Sequence, residues 1–332
     1  MTTDLSPVHP PFDPELAAAL AAAEDVPTTV TPEMLAALRE DTAATAPSFT
    51  AIAEAHRVDV RTVTVARSDA PDMRLLVATP PLSRPGSPAL YWIHGGGVVL
   101  GDFRFGLDLV LPWAVEFGVP VVSVDYRLAP ADPDPAAVED CYAGLVWVAG
   151  HAAELGVDPS RLVLAGHSAG AGLAAGTALL ARDRHGPRAA GQLLLCPMLD
   201  DREHTPASRQ LDGVGVWDRT ANRTAWDARL GGRRGGPAVE PYSAPARATD
   251  LSGLPPAFVD VGSVDTFRDE AVDYATRIWQ AGGAAELHVW PGAYHCFEIL
   301  APTAAVSVAA VDRRTDWLRR VLRPPRPSSR PT

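Results

Sequence analysis

The chain has 332 residues, 47% of them hydrophobic, and a formal net charge of −11. All 29 basic residues are arginine and none of them forms a basic run, which argues against nucleic acid or an anionic membrane surface as a partner. Cys141, Cys196 and Cys296 are widely spaced and form no C-x-x-C pair, so the reading is of reduced thiols in a cytoplasmic protein rather than a disulfide framework.

The length suits one large α/β domain or two small ones. Residues 1–56 read as a helical segment. Asp13 followed by Pro14 has the form of an N-cap and first helical position, and Thr31-Pro32 marks a second start. The apolar run 16–23 is too short, and too closely preceded by Asp4, Asp13 and Glu15, for a leader peptide or a membrane span.

Eight strand-like runs follow, at 61–68, 73–79, 89–93, 119–125, 161–165, 192–196, 257–261 and 286–290. Asp69-Ala-Pro-Asp72 separates the first two and predicts an antiparallel hairpin. The later runs are almost wholly apolar and alternate with helix-length stretches at 135–155, 169–184 and 269–282. That rhythm predicts an α/β fold: an eight-stranded, mostly parallel sheet with helices on both faces. The core is expected over 57–202 and 250–322. Residues 203–249, with Trp217, Trp226, a helical stretch at 219–230 and a Gly-rich stretch at 231–236, are too long for a simple crossover and read as a lid. The Pro/Arg/Ser-rich residues 323–332 read as a disordered tail. No internal repeat is present.

The most informative stretch is Gly166-His-Ser168-Ala-Gly170, directly after the apolar run 161–165. A strand entering G-x-S-x-G and leaving as a small-residue helix is the arrangement that thrusts a nucleophilic serine out of a sharp turn. A serine hydroxyl needs a neighbouring base, and the base needs an acid to hold its tautomer. In chains of this kind acid and histidine follow the serine in that order. Four histidines lie beyond Ser168. Of His185, His204, His288 and His295, the last sits in a loop just past a strand, whereas His288 lies inside one. Asp260, Asp265, Asp269 and Glu270 compete as the acid. Asp260 is mid-strand, and Asp269 and Glu270 suit the first turn of a helix. Asp265 occupies the loop slot in Gly262-Ser-Val-Asp265. The predicted triad is therefore Ser168, Asp265 and His295.

His94-Gly-Gly-Gly97 follows the strand at 89–93 and offers backbone N–H groups free of side-chain obstruction. Gly95, Gly96 and Ala169 are the expected oxyanion donors. A phosphate-binding loop is the competing reading, but neither G-x-x-x-x-G-K-[ST] nor G-x-G-x-x-G occurs there. Phe103 and Phe105, just past this loop, and Trp217 are candidate walls of a substrate pocket.

With these motifs in order, the chain resembles the bacterial hormone-sensitive-lipase-like esterases of the α/β-hydrolase fold. The resemblance runs from about Ala89 to Phe297. It rests on His94–Gly97 with Gly101, on Asp125-Tyr-Arg-Leu-Ala-Pro130, on Gly166–Gly170, on Cys196-Pro-Met-Leu-Asp-Asp-Arg202, on Val264-Asp-Thr-Phe-Arg-Asp-Glu270 and on His295. It implies hydrolysis of carboxylic esters with short acyl chains, no metal or cofactor, a cap built from residues 1–56 and 203–249, and homodimers among relatives. It also implies that His94 shapes the oxyanion loop and that Asp125 and Arg127 brace it. Two departures stand out: His167 where the family usually has Asp, and Cys196 where it usually has Tyr. A biosynthetic thioesterase, acyltransferase or cyclase using the same triad, and a non-catalytic ligand-binding member, are the alternatives.

Overall fold

The computed structural model describes residues 8–23 and 26–323. The expectations for residues 1–7 and for the tail from 324 onward lie outside the described residues. Eight strands form one sheet: β1 (Asp59–Val65), β2 (Met73–Thr79), β3 (Ser87–Ile93), β4 (Val121–Asp125), β5 (Val157–His167), β6 (Gly191–Leu195), β7 (Ala257–Val264) and β8 (Ala285–Tyr294). Their order is β1-β2-β4-β3-β5-β6-β7-β8. The first two pair as the expected hairpin, from Asp59 against Thr79 to Val65 against Met73. β2 is antiparallel to β4 as well, and every later pairing is parallel. Each expected run is a strand, and β5 and β8 extend well beyond the apolar stretches that announced them.

The inner strands are buried on both faces, as parallel sheets covered by crossover helices must be, whereas the edge strands β1 and the first part of β8 are partly exposed. Along β2, Leu75 and Val77 face one cluster and Leu76 and Ala78 the other, all of them buried. The first cluster is closed by the helices Ala136–Gly150, Ala169–Asp183 and Arg268–Gln280. The second is closed by Leu107–Phe117 and Ala305–Val321, which bring Trp113, Trp317 and Leu318 against Trp92 and Phe258. Burying a side chain of this size contributes roughly 1.5–3 kcal/mol.

Local chemistry sets the helix ends. Asp13 caps Pro14–Ala22, accepting from the amides of Glu15 and Leu16 at 2.9 and 3.3 Å. The stretch expected as one helix over 135–155 is broken at His151 into Ala136–Gly150 and Ala152–Leu155.

Within residues 203–249 lie the helices Pro206–Gln210 and Arg219–Leu230, and Trp226 is wholly buried. Further along, Arg314 ties three elements together beneath the sheet's end. It donates to Asp260 of β7 at 2.7 Å and to Glu298 of the short helix Phe297–Leu300 at 2.5 Å.

The parallel topology gathers the site. Ile93, His167, Val264 and Tyr294 end β3, β5, β7 and β8, and the residues that follow them emerge at one edge, the carboxyl end where open α/β sheets hold ligands.

Candidate active site

β5 ends at His167, and the next residue turns sharply. Ser168 has φ 58° and ψ −124°, a conformation that costs a non-glycine residue on the order of 1–3 kcal/mol. The surroundings hold it there: the Ser168 amide donates to Leu195 O at 2.8 Å, and its carbonyl accepts from the Met198 amide at 3.1 Å. The flanking glycines permit the approach. A Cβ on Gly166 would lie 2.5 Å from Gly170 O, and one on Gly170 would lie 2.0 Å from Ile93 O.

The turn carries the hydroxyl to His295. Ser168 Oγ is 2.9 Å from His295 Nε2, and His295 Nδ1 is 2.9 Å from Asp265 Oδ2. The other oxygen of Asp265 accepts from the Phe267 amide at 2.9 Å, which fixes the carboxylate plane. Nδ1–H donating to Asp265 leaves the Nε2 lone pair facing the hydroxyl. All three residues are buried. Burial opposes protonation of His295, but the Cys196 sulfur and the Asp265 carboxylate favour it, and its pKa lies well above that of an ordinary imidazole.

The competing acids are engaged elsewhere. Asp260 pairs with Arg314 and accepts from the Trp290 indole at 3.0 Å. Asp269 accepts from the Ala207 amide at 2.8 Å, and Glu270 from the amides of Leu199 and Asp200 at 2.6 and 3.1 Å. His288 stays within β8, stacked on Trp290 at 5.2 Å.

Beyond β3 the glycine loop folds back beside Ser168. Among the described residues, the N–H groups of Gly95, Gly96 and Ala169 donate to no protein acceptor. Gly96 has φ 97°, and a Cβ there would meet Leu100 O at 2.3 Å. His94 Nδ1 donates to Gly95 O at 2.8 Å, and burial lowers its pKa to about 4, so this ring is a neutral strut. Tyr126 lies stacked against His94 at 4.1 Å and donates to His94 O at 2.8 Å.

The bracing of this loop draws in more residues than expected. Asp125 bonds Arg74 across the β2–β4 pair at 2.6 Å and lies within reach of the Phe103 amide, and Arg127 bonds Asp140 at 2.8 Å. Tyr126 also touches the loop's backbone, as does Ala129, whose amide donates to Val98 O at 2.9 Å. Tyr126 was not singled out in the sequence, although it stands between two residues that were.

A cavity of about 740 Å³ lies between the N-terminal segment and the loop after β3, and its wall includes His167, the neighbour of Ser168, but neither the triad nor Gly95, Gly96 or Ala169. Phe105 and His167 line it, together with Arg39, Ala46, Leu128 and Ile299. Phe103 does not. It is a core residue, 2% exposed, packed edge-on against Phe49 at 5.9 Å, because its position in the loop turns it inward while Phe105 turns out. Trp217 is not on the cavity wall either; its ring sits 6.5 Å from His295 and would lie 2.9 Å from a Cβ on Gly97. His167 packs parallel to Trp92 at 6.2 Å, its side chain turned away from the triad's hydrogen bonds, and burial lowers its pKa to about 4.

Comparison with known proteins decides the family. Residues 90–299 match the model of the alpha/beta hydrolase fold family. The chain belongs to that family. This hydrolase is 37% identical to carboxylesterase NlhH of Mycobacterium tuberculosis over 257 residues, which is 76% of its own length and 79% of the relative's. It is 30% identical over 223 residues to ethyl acetate hydrolase of Pseudomonas putida, covering 66% and 69% of the two chains. Among solved structures, bacterial heroin esterase superposes with a TM-score of 0.84 at 38% identity, covering 94% of this hydrolase and 98% of that chain. Esterase LipW of Mycobacterium marinum gives 0.85 at 33% identity, covering 96% and 99%.

Proposed function

We propose that the protein is a serine carboxylesterase that hydrolyses short- to medium-chain acyl esters through an acyl-enzyme intermediate. The observation that carries this reading is the unbroken relay from Ser168 Oγ through His295 to Asp265, with each link at 2.9 Å. The names of its relatives, carboxylesterase and ethyl acetate hydrolase, agree with it.

The steps follow from the geometry. His295 Nε2 takes the hydroxyl proton as Ser168 Oγ attacks the ester carbonyl carbon. The new oxyanion rests on the amides of Gly95, Gly96 and Ala169, which donate to no protein acceptor among the described residues. His295 returns the proton to the leaving alcohol, leaving an acyl-serine. Water then repeats the sequence and releases the acid. Asp265 holds the tautomer and stabilises the imidazolium. No step calls for a metal or cofactor.

Residues 1–56 and 203–249 act in this reading as a cap over the sheet's carboxyl edge. Arg39 supports it, donating to Val99 O at 2.7 Å and to Ala129 O, so that the N-terminal segment is tied to the oxyanion loop. Trp217, pressed near Gly97 and His295, ties the second segment to the same place. The cavity lined by His167 and Phe105 is, in this reading, the space for the acyl or alcohol part. Three free thiols accord with a reducing, cytoplasmic setting. Among the described residues no helix is long and apolar enough to cross a membrane.

A panel of aryl esters of increasing acyl length tests the reading. Wild type is expected to peak at short chains, and Ser168→Ala to lose about 10⁴–10⁶ of the turnover. Hydrolysis surviving in Ser168→Ala would remove Ser168 from the mechanism.

A further inference from the structure

Two thiols flank the catalytic histidine and take no part in the reaction derived above. Cys196 follows β6, and Cys296 follows His295 directly. Their sulfurs lie 3.8 Å apart. With one ring nitrogen of His295 they form a triangle whose corners all lie within 4.8 Å of one another. Neither cysteine is in a disulfide. Each sits at a left-handed backbone position, φ 39° at Cys196 and 57° at Cys296, where neighbouring structure holds it in place.

Those dimensions are those of a ligand set. A tetrahedral ion with bonds of about 2.3 Å to thiolate sulfur places its two sulfurs about 3.8 Å apart. The pair already stands at that edge length, so capture requires little rearrangement of the sulfurs. We propose that Cys196, Cys296 and His295 form an inhibitory site for a thiophilic divalent cation of the zinc or cadmium type. The inhibition rests on the reading of His295 as the general base.

The balance is simple. Each thiol releases its proton to solvent and forms one sulfur–metal bond, and the two thiolate charges offset those of the cation. With Nδ1–H held by Asp265, the lone pair on His295 Nε2 makes the third bond. That is the pair otherwise aimed at the Ser168 proton, so the metal and the reaction compete for one orbital. No oxidant is involved. Soft sulfur ligands favour zinc-like ions over magnesium or calcium.

Cadmium is the probe, because thiolate-to-cadmium charge transfer gives an ultraviolet band independent of activity. Chelator-treated, reduced full-length protein is titrated under inert gas while the band and aryl-ester hydrolysis are both followed. The band is expected to saturate at a single equivalent per chain, activity to fall in proportion, and EDTA to reverse both. Cys196→Ala and Cys296→Ala should each lose the band and the inhibition, judged against the variant's own metal-free rate. Cys141→Ala should keep both. If the first two variants fold poorly, wild type decides alone: no band at equimolar cadmium overturns the site. Inhibition that resists EDTA but yields to a reductant means disulfide formation and overturns the metal site. A full band with undiminished turnover overturns the inhibition. Failure of the esterase reading itself appears separately, as no hydrolysis by the metal-free wild type.

Discussion

His295 is where charge, burial and geometry meet, and in the proposed mechanism its proton affinity sets the pH range of hydrolysis. Only the neutral ring can accept the Ser168 proton. Because its pKa stands well above the ordinary imidazole value, kcat/KM should climb with pH along a limb displaced to the alkaline side of free histidine. In Asp265→Asn the carboxylate's contribution is gone while burial remains, so the limb moves to lower pH and the rate falls on the order of 10³–10⁴. A pH–rate profile of the two proteins checks both effects; a limb that stays in place contradicts the part assigned to Asp265. A second expectation concerns Gly96. Alanine there meets Leu100 O at 2.3 Å and must hold φ 97°, so Gly96→Ala should lower kcat about 10²–10³ through displaced amides. Steady-state kinetics reads this directly, and near-normal kcat would exclude Gly96 as a donor. At this scale the sequence was informative wherever chemistry demanded one residue type. That Ser168, Asp265 and His295 come together in one hydrogen-bonded chain was legible from order and loop position. Tyr126 was not, because a tyrosine hydroxyl reaching a loop carbonyl leaves no periodic or spacing signal. Phe103 and Phe105 differ by two positions, and only the turn of the loop decides which one faces the cavity.

The elements behind the site are held by a buried ionic clamp. Arg314 of the C-terminal helix bridges Asp260 of β7 and Glu298 of the helix that follows His295. Arg314→Met keeps the volume but strands two carboxylates, and should cost about 3–5 kcal/mol of stability. Denaturant unfolding measures the loss, and a change under about 1 kcal/mol would show that the clamp carries little. The strand Ala257–Val264 was evident as an apolar run, whereas the clamp was not, since its three charges lie far apart in the chain. The helices Leu107–Phe117 and Ala305–Val321 escaped for different reasons. The first is apolar nearly all round and contains Pro112, so it shows neither a clean stripe nor ordinary helix composition. The second has a real amphipathic face, buried through Ala310, Trp317 and Leu318, but lies beyond the last catalytic motif.

For the molecule as a whole, βα alternation made the sheet legible, because strands buried on both faces must be apolar throughout. Strand order was not legible; it depends on which crossovers pack, and the chain pattern is the same for several arrangements. The proposed cap shows in the sequence only as an interruption in that rhythm. The N-terminal segment walls the cavity through Arg39 and Ala46, ties Arg39 to the loop after β3, and packs Leu16 against Ala293, Tyr294 and Phe297 around His295. Removing the first 46 residues should therefore lower kcat as well as raise KM, and kinetics with a short aryl ester tests this. An unchanged kcat in a folded protein would show that this segment serves the pocket alone.

The central claim is that Ser168 is a nucleophile activated by His295. Its most direct test is peptide mapping by mass spectrometry after exposure to a fluorophosphonate. The account predicts a single adduct on Ser168, absent from Ser168→Ala and greatly slowed in His295→Ala. No adduct on the folded wild-type protein, or an adduct on another residue, would contradict it.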